Sequence, residues 1–378
     1  MIIRGAAVYT EDNRFENKDI YINGDIFTGE EDGCGKIIDG SGCYAIPGLT
    51  DIHFHGCVGK DFCDGTLEAI DTIAAYQARV GVTTIAPATM TLDKDTLYAV
   101  CEAAAEYHDR QEKGEFAQSA VLCGINMEGP FISKEKMGAQ NPKYIQKAND
   151  ELYETMQAKS DGLIKLVDIA PETEGAIDFI RRKKGKTVLS IAHTTADYDT
   201  AMAAFEAGAT HVTHLYNAMP PFSHRAPGVI GAAADAGAEV ELICDGVHVY
   251  PSAVRATFRM FGDDNIILIS DSMMATGLAD GDYSLGGQPV KVTGNLATLK
   301  DGTIAGSATN LMECLRIVVG QMKIPLESAV KCAAVNSAKS IGIYDKYGSI
   351  TPGKIANLVL LDKKDLSLKK VILRGELL

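Results

Sequence analysis

Two histidines that each end a short β-branched run could bind a metal ion in this chain. His193 follows the run 188–191 and His214 follows the run 209–213, with a helical pattern over 197–207 between them. A strand–helix–strand unit this short requires parallel strands, so both imidazoles leave the same end of the sheet. That placement is typical of a metal centre at the mouth of an α/β barrel. The alternative is a pair of unrelated histidines satisfied in a core.

Four further polar residues stand where predicted strands end. His53 and His55 are two positions apart, so they face the same side of one strand. Glu128 and Asp271 each end an apolar run that does not need a charged terminus. With the first two histidines they make six nitrogen and oxygen donors without a thiolate, which suits Zn²⁺ or Fe²⁺. Asp271 could instead cap a helix or serve only as a ligand.

The elements that would position these residues are eight candidate strands separated by helical patterns. The strands span 45–55, 83–89, 120–128, 163–171, 187–193, 209–217, 239–246 and 265–272. The helical patterns span 67–80, 93–107, 172–182, 197–207, 251–261, 310–322 and 325–340. This order predicts an α/β fold, a (β/α)8 TIM-like barrel. A doubly wound sheet would normally carry a Gly-rich phosphate turn, and the sequence has neither G-x-G-x-x-G nor a Walker motif.

The two ends of the chain share a β-rich texture. Residues 1–47 and 346–378 alternate apolar and polar positions between Gly-containing turns. Since chain termini often lie close together, we expect them to form one small β-sandwich domain beside a barrel domain of residues 48–345. Within the barrel, His211 differs in strand parity from His214 and is predicted to face the surrounding helices.

Composition narrows the class of protein. The formal net charge of −14 argues against a nucleic-acid partner. No run of about 18 apolar residues is present, so we expect no membrane span, and the N-terminus lacks the pattern of a signal peptide. The nine cysteines, Cys34 among them, are scattered without a C-x-x-C pair. Reduced cysteines inside apolar runs favour a cytoplasmic location.

Several motifs together resemble a known family. They are H-F-H after P-G-L-T-D, M-E-G-P-F-I, A-H-T, T-H-L-Y-N-A-M and S-D-S at the eighth strand. This set resembles the amidohydrolase superfamily and, within it, the N-acetylglucosamine-6-phosphate deacetylases. MEGPFISKEKMGAQNP and THLYNAMPPFSHRAPGVIG extend the likeness, which covers essentially the whole chain. The resemblance implies hydrolysis of the acetamide of N-acetyl-D-glucosamine 6-phosphate to D-glucosamine 6-phosphate and acetate.

The resemblance also implies a role for each strand-end residue. Glu128, His193 and His214 would hold the principal divalent metal. His53 and His55 would hold a second one, with Glu128 as the bridge, so one or two ions per subunit are expected. Asp271 matches the catalytic acid and base of the family.

Substrate contacts are implied by the same resemblance. The sugar phosphate would meet Asn217, the backbone of Ala218, His248 and Arg225. Arg225 is expected to reach in from the second subunit of a homodimer. The remaining substrate-binding positions are two loop segments: Ala139 and Gln140, and Ile304, Ala305, Gly306 and Ser307.

Gln140 departs from the family pattern, which commonly has histidine before N-P. A glutamine can donate a neutral hydrogen bond but cannot carry a proton. Two alternatives therefore stay open beside the deacetylase. One is another metal-dependent amidohydrolase, acting on a different N-acetylhexosamine phosphate or a cyclic amide. The other is a catalytically weakened sugar-phosphate sensor.

Overall fold

The terminal segments combine in two small sheets. The computed structural model describes residues 1–30 and 35–378, and Cys34 lies outside them. One sheet holds, in order, Ile26–Thr28, Ile20–Asn23, Ile2–Arg4 and Ile37–Asp39. The other holds Glu376–Leu377, Leu368–Leu373, Leu358–Asp362, Cys43–Pro47, Ala7–Tyr9 and Phe15–Asn17. Apolar residues of both sheets, such as Phe27 and Leu360, share one buried cluster. The strands of the two chain ends thus pair directly, while the domain boundaries stay a prediction.

Eight parallel strands form the centre of the molecule, which confirms the predicted barrel. They are β1 (Leu49–Asp51), β2 (Val82–Ile85), β3 (Val121–Leu122 and Ile125–Met127), β4 (Ile164–Ile169), β5 (Val188–Ile191), β6 (His211–Val212), β7 (Glu239–Ile243) and β8 (Ile266–Ile269). The first part of β3 pairs with β2 and the second with β4. The ring closes where the backbone N–H of Asp271 donates to the carbonyl of His53, at 2.9 Å.

Helices cover the outside of the barrel. They span Leu67–Arg79, Lys94–Glu112, Asp150–Lys159, Ala176–Lys183, Tyr198–Ala207, Gly228–Ala236, Pro251–Phe261, Leu311–Gly320, Leu326–Val330 and Asn336–Ser340, with a π-helical turn at Lys331–Val335. Short 3₁₀ helices lie at Phe62–Asp64 and Lys134–Lys136. Among the described residues, no helix is both long and apolar enough to cross a membrane.

Local capping explains where individual helices begin and end. Asp197 accepts a hydrogen bond from the N–H of Thr200 at the start of Tyr198–Ala207, and Gly208 follows its last turn. The sequence patterns did not predict Asp150–Lys159 or Gly228–Ala236. The first is largely polar, and the second, GVIGAAADA, has no charged face to give a helical period.

An antiparallel three-stranded sheet follows β8 and was also not predicted. It consists of Gly281–Leu285, Gln288–Thr293 and Leu296–Thr298. Its first two strands form the hairpin after β8. A second small hairpin pairs Gly56–Cys57 with Lys60–Asp61 near the end of β1. Both hairpins follow barrel strands at their carboxyl ends, which is the end where a barrel carries its site.

The barrel interior is polar as well as apolar. Alternate strand residues such as Leu166 and Ile267 form an inner apolar cluster, while Val167 and Leu268 pack outward against the helices. The prediction for His211 was wrong, since its ring faces the interior, with Nδ1 2.8 Å from Ser190 Oγ. Strand β6 ends at Val212, so simple alternation does not extend from His211 to the later histidine.

Candidate active site

Three of the six predicted strand-end residues have a left-handed backbone. The φ angles of His193, His214 and Asp271 are 43°, 31° and 48°. This region is costly for residues other than glycine, and such strain concentrates at functional sites. Each residue lies two positions after the end of its barrel strand, so the turned backbone breaks the strand alternation there. As a result all three side chains lie at the barrel mouth.

The first group of candidate ligands is Glu128, His193 and His214. Nε2 of the two histidines lie 3.0 and 3.3 Å from Glu128 Oε1 and only 3.1 Å from each other. His193 Nδ1 donates to the backbone carbonyl of Lys136. In the neutral ring, Nε2 of His193 then carries a lone pair that can bind a metal ion. Two ring nitrogens and a carboxylate oxygen converging on one point match the donor set of a divalent metal ion.

The second group is His53, His55 and Asp271. His55 Nε2 lies 3.3 Å from Asp271 Oδ1 and 3.3 Å from Glu128 Oε2. His53 Nε2 is buried without a hydrogen-bond partner among the described residues, 3.4 Å from Glu128 Oε1. In each group the ligand atoms lie within 4.8 Å of one another. Glu128 therefore stands between the two groups, where a bridging carboxylate would lie.

The two buried carboxylates are held ionised. For Glu128, burial acts to raise the pKa, but the charge of His53 and hydrogen bonds from the histidines outweigh it and lower the pKa well below its usual value. Burial opposes ionisation of Asp271 in the same way, and the hydrogen bond from His55 with the charge of His53 lowers its pKa. Both groups are thus anionic at neutral pH, the form that a metal ligand or a general base requires.

A cavity of about 480 Å³ opens above both groups. Its walls include seven of the predicted substrate-binding residues: Ala139, Gln140, Asn217, Ala218, His248, Ile304 and Gly306. Ala305 and Ser307 are buried behind the wall, where the Ser307 hydroxyl donates to the carbonyl of Ser270. Arg225 lies outside the cavity and is exposed on the loop after β6.

His248 is suited to bind an anion at this cavity. Its Nδ1 lies 2.7 Å from Asp245 Oδ2. Burial acts to lower the pKa of His248, but the hydrogen bond and charge of Asp245 prevail and raise it above the ordinary value. A protonated imidazole held by a carboxylate presents its other N–H for a phosphate.

The Gln140 side chain has a fixed orientation. The backbone N–H of Thr91 donates to its Oε1 at 2.6 Å, so the amide nitrogen points the other way. That nitrogen donates to Glu128 Oε2, also at 2.6 Å. Gln140 therefore supports the candidate bridging carboxylate and faces the cavity at the same time.

Sequence reasoning missed several residues of the site. Lys134 and Lys136 line the cavity, and their place directly after M-E-G-P-F-I could have suggested it. Leu285 comes from the unpredicted hairpin. Glu241 lies in the barrel interior beneath the ligands, and its signal was a carboxylate inside the apolar run of β7.

Comparison with known proteins agrees with this geometry. The amidohydrolase family matches residues 44–378. N-acetylglucosamine-6-phosphate deacetylase of Bacillus subtilis (strain 168) is 37% identical, over 100% of this chain and 96% of that protein. N-acetylgalactosamine-6-phosphate deacetylase of Escherichia coli O157:H7 is 30% identical, over 100% and 98%.

Solved structures give the same result. A mutant N-acetyl-D-glucosamine-6-phosphate deacetylase of Mycobacterium smegmatis, in complex with N-acetyl-D-glucosamine-6-phosphate, has a TM-score of 0.91. It is 30% identical, over 100% of this chain and 98% of that one. The deacetylase of Thermotoga maritima has a TM-score of 0.87 at 29% identity, over 100% and 99%. The motifs, the barrel and the relatives agree, and the chain belongs to the amidohydrolase family.

Proposed function

We propose that this chain hydrolyses the acetamide of N-acetyl-D-glucosamine 6-phosphate, releasing D-glucosamine 6-phosphate and acetate. The observation that carries the proposal is one cavity lined by both a two-part metal-ligand cluster and an anion-binding histidine. The 37% identity to a deacetylase of this substrate over the full chain supports the choice of sugar. This reaction fits amino-sugar catabolism in the cytoplasm. The eight described cysteines are free thiols, which agrees with a reducing compartment.

The donor set fits one or two divalent ions, Zn²⁺ or Fe²⁺. Glu128, His193 and His214 would hold the first, and His53 and His55 the second, with Glu128 shared. A bound ion supplies Lewis-acid chemistry, lowering the pKa of water and polarising a carbonyl.

Asp271 is the acid and base of the proposed reaction. Its carboxylate is buried at the junction of cavity and ligands, and its lowered pKa makes it a proton acceptor at neutral pH. It takes the proton from the attacking water and then returns it to the amide nitrogen. An amide needs that second step because the free amide anion is a very poor leaving group.

Other residues orient the substrate. His248 and Asn217 lie in the wall where the phosphate would bind, together with Ala218, whose φ is 52°. Ile304 and Gly306 of the 304–307 loop would line the sugar. Gln140 Nε2 donates to Glu128 Oε2 and, at 3.6 Å, to Met90 Sδ. Exchange of this weak sulfur contact for the acetyl oxygen would partly replace the histidine common in the family.

A homodimer would complete the phosphate site. Among the described residues, no arginine of this chain lines the cavity. Arg225 lies on an exposed loop after β6, beside Phe222, whose exposed fraction is 49%. Tyr250, after β7, is 76% exposed. Large exposed apolar side chains at one rim favour a protein interface there, and a guanidinium from the partner would bind phosphate bidentately.

The test is acetate release from a panel of 6-phosphates of N-acetylglucosamine, N-acetylgalactosamine and N-acetylmannosamine, run with elemental analysis of the purified protein. We expect the highest kcat/KM for the gluco sugar and at least one divalent ion per chain. A preference for the galacto sugar would shift the assignment toward the relative with that activity. Binding of the phosphates without acetate release, in metal-loaded protein, would instead identify a sensor.

A further inference from the structure

Glu241 is a buried carboxylate that core packing does not explain. It lies in the middle of β7 with none of its surface exposed. Placing a carboxylate inside a barrel is unfavourable unless charged or hydrogen-bonding partners compensate. Within residues 1–30 and 35–378, its ion-pair partners are histidines, with no lysine or arginine. The reason for its presence must therefore lie in what those histidines do.

One oxygen of Glu241 holds a residue from each ligand group. His53 Nδ1 donates to Oε2 at 2.8 Å, and the backbone N–H of His214 donates to the same oxygen at 3.1 Å. When His53 gives up its Nε2 proton, the proton that remains on Nδ1 leaves the Nε2 lone pair free, and this atom faces Glu128 Oε1. The second hydrogen bond anchors the left-handed backbone of His214.

The other ligand histidines are held differently. His193 Nδ1 donates to a backbone carbonyl, whereas Nδ1 of His55 and of His214 has no partner among the described residues. His53 thus differs from the other three in having a carboxylate behind it. A carboxylate in this position fixes the tautomer and ring orientation of a ligating histidine and makes it a stronger ligand.

We propose that Glu241 is a positioning residue for the second metal subsite, holding His53 so that its Nε2 completes the group with His55 and Asp271. The inference rests on the proposed two-part metal centre. It adds a residue that acts through a ligand and does not itself face the cavity.

Stepwise metal binding tests this role without measuring activity. Metal-free protein is titrated with Zn²⁺, and stoichiometry and affinity are measured for wild type, Glu241→Gln and Glu241→Met. Glutamine keeps a neutral acceptor of the same shape, while methionine fills similar space without one. Ser190→Ala is the matched control, since Ser190 is equally buried in the interior and contacts His211 and Thr213 but no ligand.

We expect wild type to bind two ions per chain. Ser190→Ala should bind both ions with the affinities of wild type. Glu241→Met should weaken binding of the second ion by about 10–100-fold, and Glu241→Gln by less. Binding of the first ion should weaken much less in both variants, because His214 loses at most one backbone hydrogen bond and keeps its ring in place. Adding His193→Ala to Glu241→Met should then remove the remaining tight site. Should the methionine variant not fold, Glu241→Gln alone still decides the question. Wild-type affinity for both ions in that variant, or equal weakening of both, would overturn the inference.

The wild-type measurement separates this inference from the proposed reaction. If wild type binds two ions and the Glu241 variants do too with unchanged affinity, only the role of Glu241 fails. Binding of a single ion by wild type would remove the second subsite and this role with it. Acetate release, measured on the same protein, decides the deacetylase proposal independently.

Discussion

At the scale of single residues, the site depends on two buried carboxylates that stay charged. Glu128 and Asp271 would each be protonated more readily by burial alone, and in both cases the neighbouring histidines reverse the direction of the pKa shift. Both carboxylates are therefore ionised at neutral pH, the form that could bind a cation or accept a proton. Their roles can be separated by changing charge without changing shape.

Asp271→Asn should keep the fold and the first metal but reduce kcat by about 10²–10⁴-fold, because an amide cannot shuttle a proton. Asp301→Asn, at an exposed carboxylate of the same cavity, is the control and should leave kcat within about twofold. Acetate release and metal content are measured together. Retention of kcat within about tenfold in Asp271→Asn would refute the acid–base assignment.

His248 should make substrate affinity depend on pH. Its pKa is raised by Asp245, so the protonated form persists above the ordinary imidazole range and is lost as pH rises through the raised pKa. KM for the phosphorylated sugar should therefore increase above pH 7 by about tenfold, where the phosphate is already a dianion. In His248→Gln, KM should be higher than that of wild type at pH 7 and should not change with pH.

The unphosphorylated sugar is the control for this pH profile. Its KM should not follow the same rise, since it lacks the group that His248 would bind. Identical pH dependence of KM for both sugars, or an unchanged profile in His248→Gln, would place the titration elsewhere.

At the scale of elements, loops after the barrel strands build the cavity and hold one another. The hairpin after β8 reaches the segment after β3 through Gln288, whose amide donates to the carbonyls of Ala139 and Gln140 at 2.5 and 3.3 Å. Gln140 in turn contacts Glu128. The hairpin thus supports the wall of the cavity next to the candidate metal bridge.

Gln288→Ala should raise KM by about three- to tenfold, since two hydrogen bonds to the Ala139–Gln140 segment are lost. The melting temperature should change little because the hairpin keeps its strand pairing. Lys291→Ala, at an exposed position of the same strand, is the matched control and should behave as wild type. Unchanged KM and kcat in Gln288→Ala would show that the hairpin does not support the wall.

At the scale of the whole molecule, we propose that a second copy completes the site. Arg225 is exposed and makes no hydrogen bond or ion pair with another described residue of its own chain. Lys134 and Lys136 of the same chain also line the cavity, but only a guanidinium such as that of a partner's Arg225 would give a phosphate at His248 a bidentate contact.

Arg225→Ala should raise KM for the phosphorylated sugar at least tenfold and barely alter activity on the unphosphorylated sugar. Hybrid dimers of Arg225→Ala with Asp271→Asn subunits should regain activity, because one site then carries both wild-type residues. Activity is measured on hybrids purified with two different tags. Failure of verified hybrids to recover would assign Arg225 to its own subunit's site, and an unchanged KM would exclude it from phosphate binding.

The sequence by itself determined the architecture and indicated the candidate ligand set. Apolar runs at regular spacing predicted eight strands, and the parallel connection between His193 and His214 placed both imidazoles at one end. The reason is that hydrophobic period and chain connectivity are local properties, and local properties fix which end of a parallel strand faces the mouth. The motifs then gave the family, which the comparisons confirmed.

Only the tertiary structure decided what surrounds those residues. The orientation predicted for His211 from strand alternation was wrong. Its strand has only two residues, and the backbone of His214 beyond it is left-handed, so alternation does not relate the two side chains. The Gln288–Ala139 and Glu241–His53 hydrogen bonds join residues far apart in the chain, by 149 and 188 positions. Such contacts arise from packing between distant elements, so their geometry, and with it the support of each ligand, is absent from any local pattern.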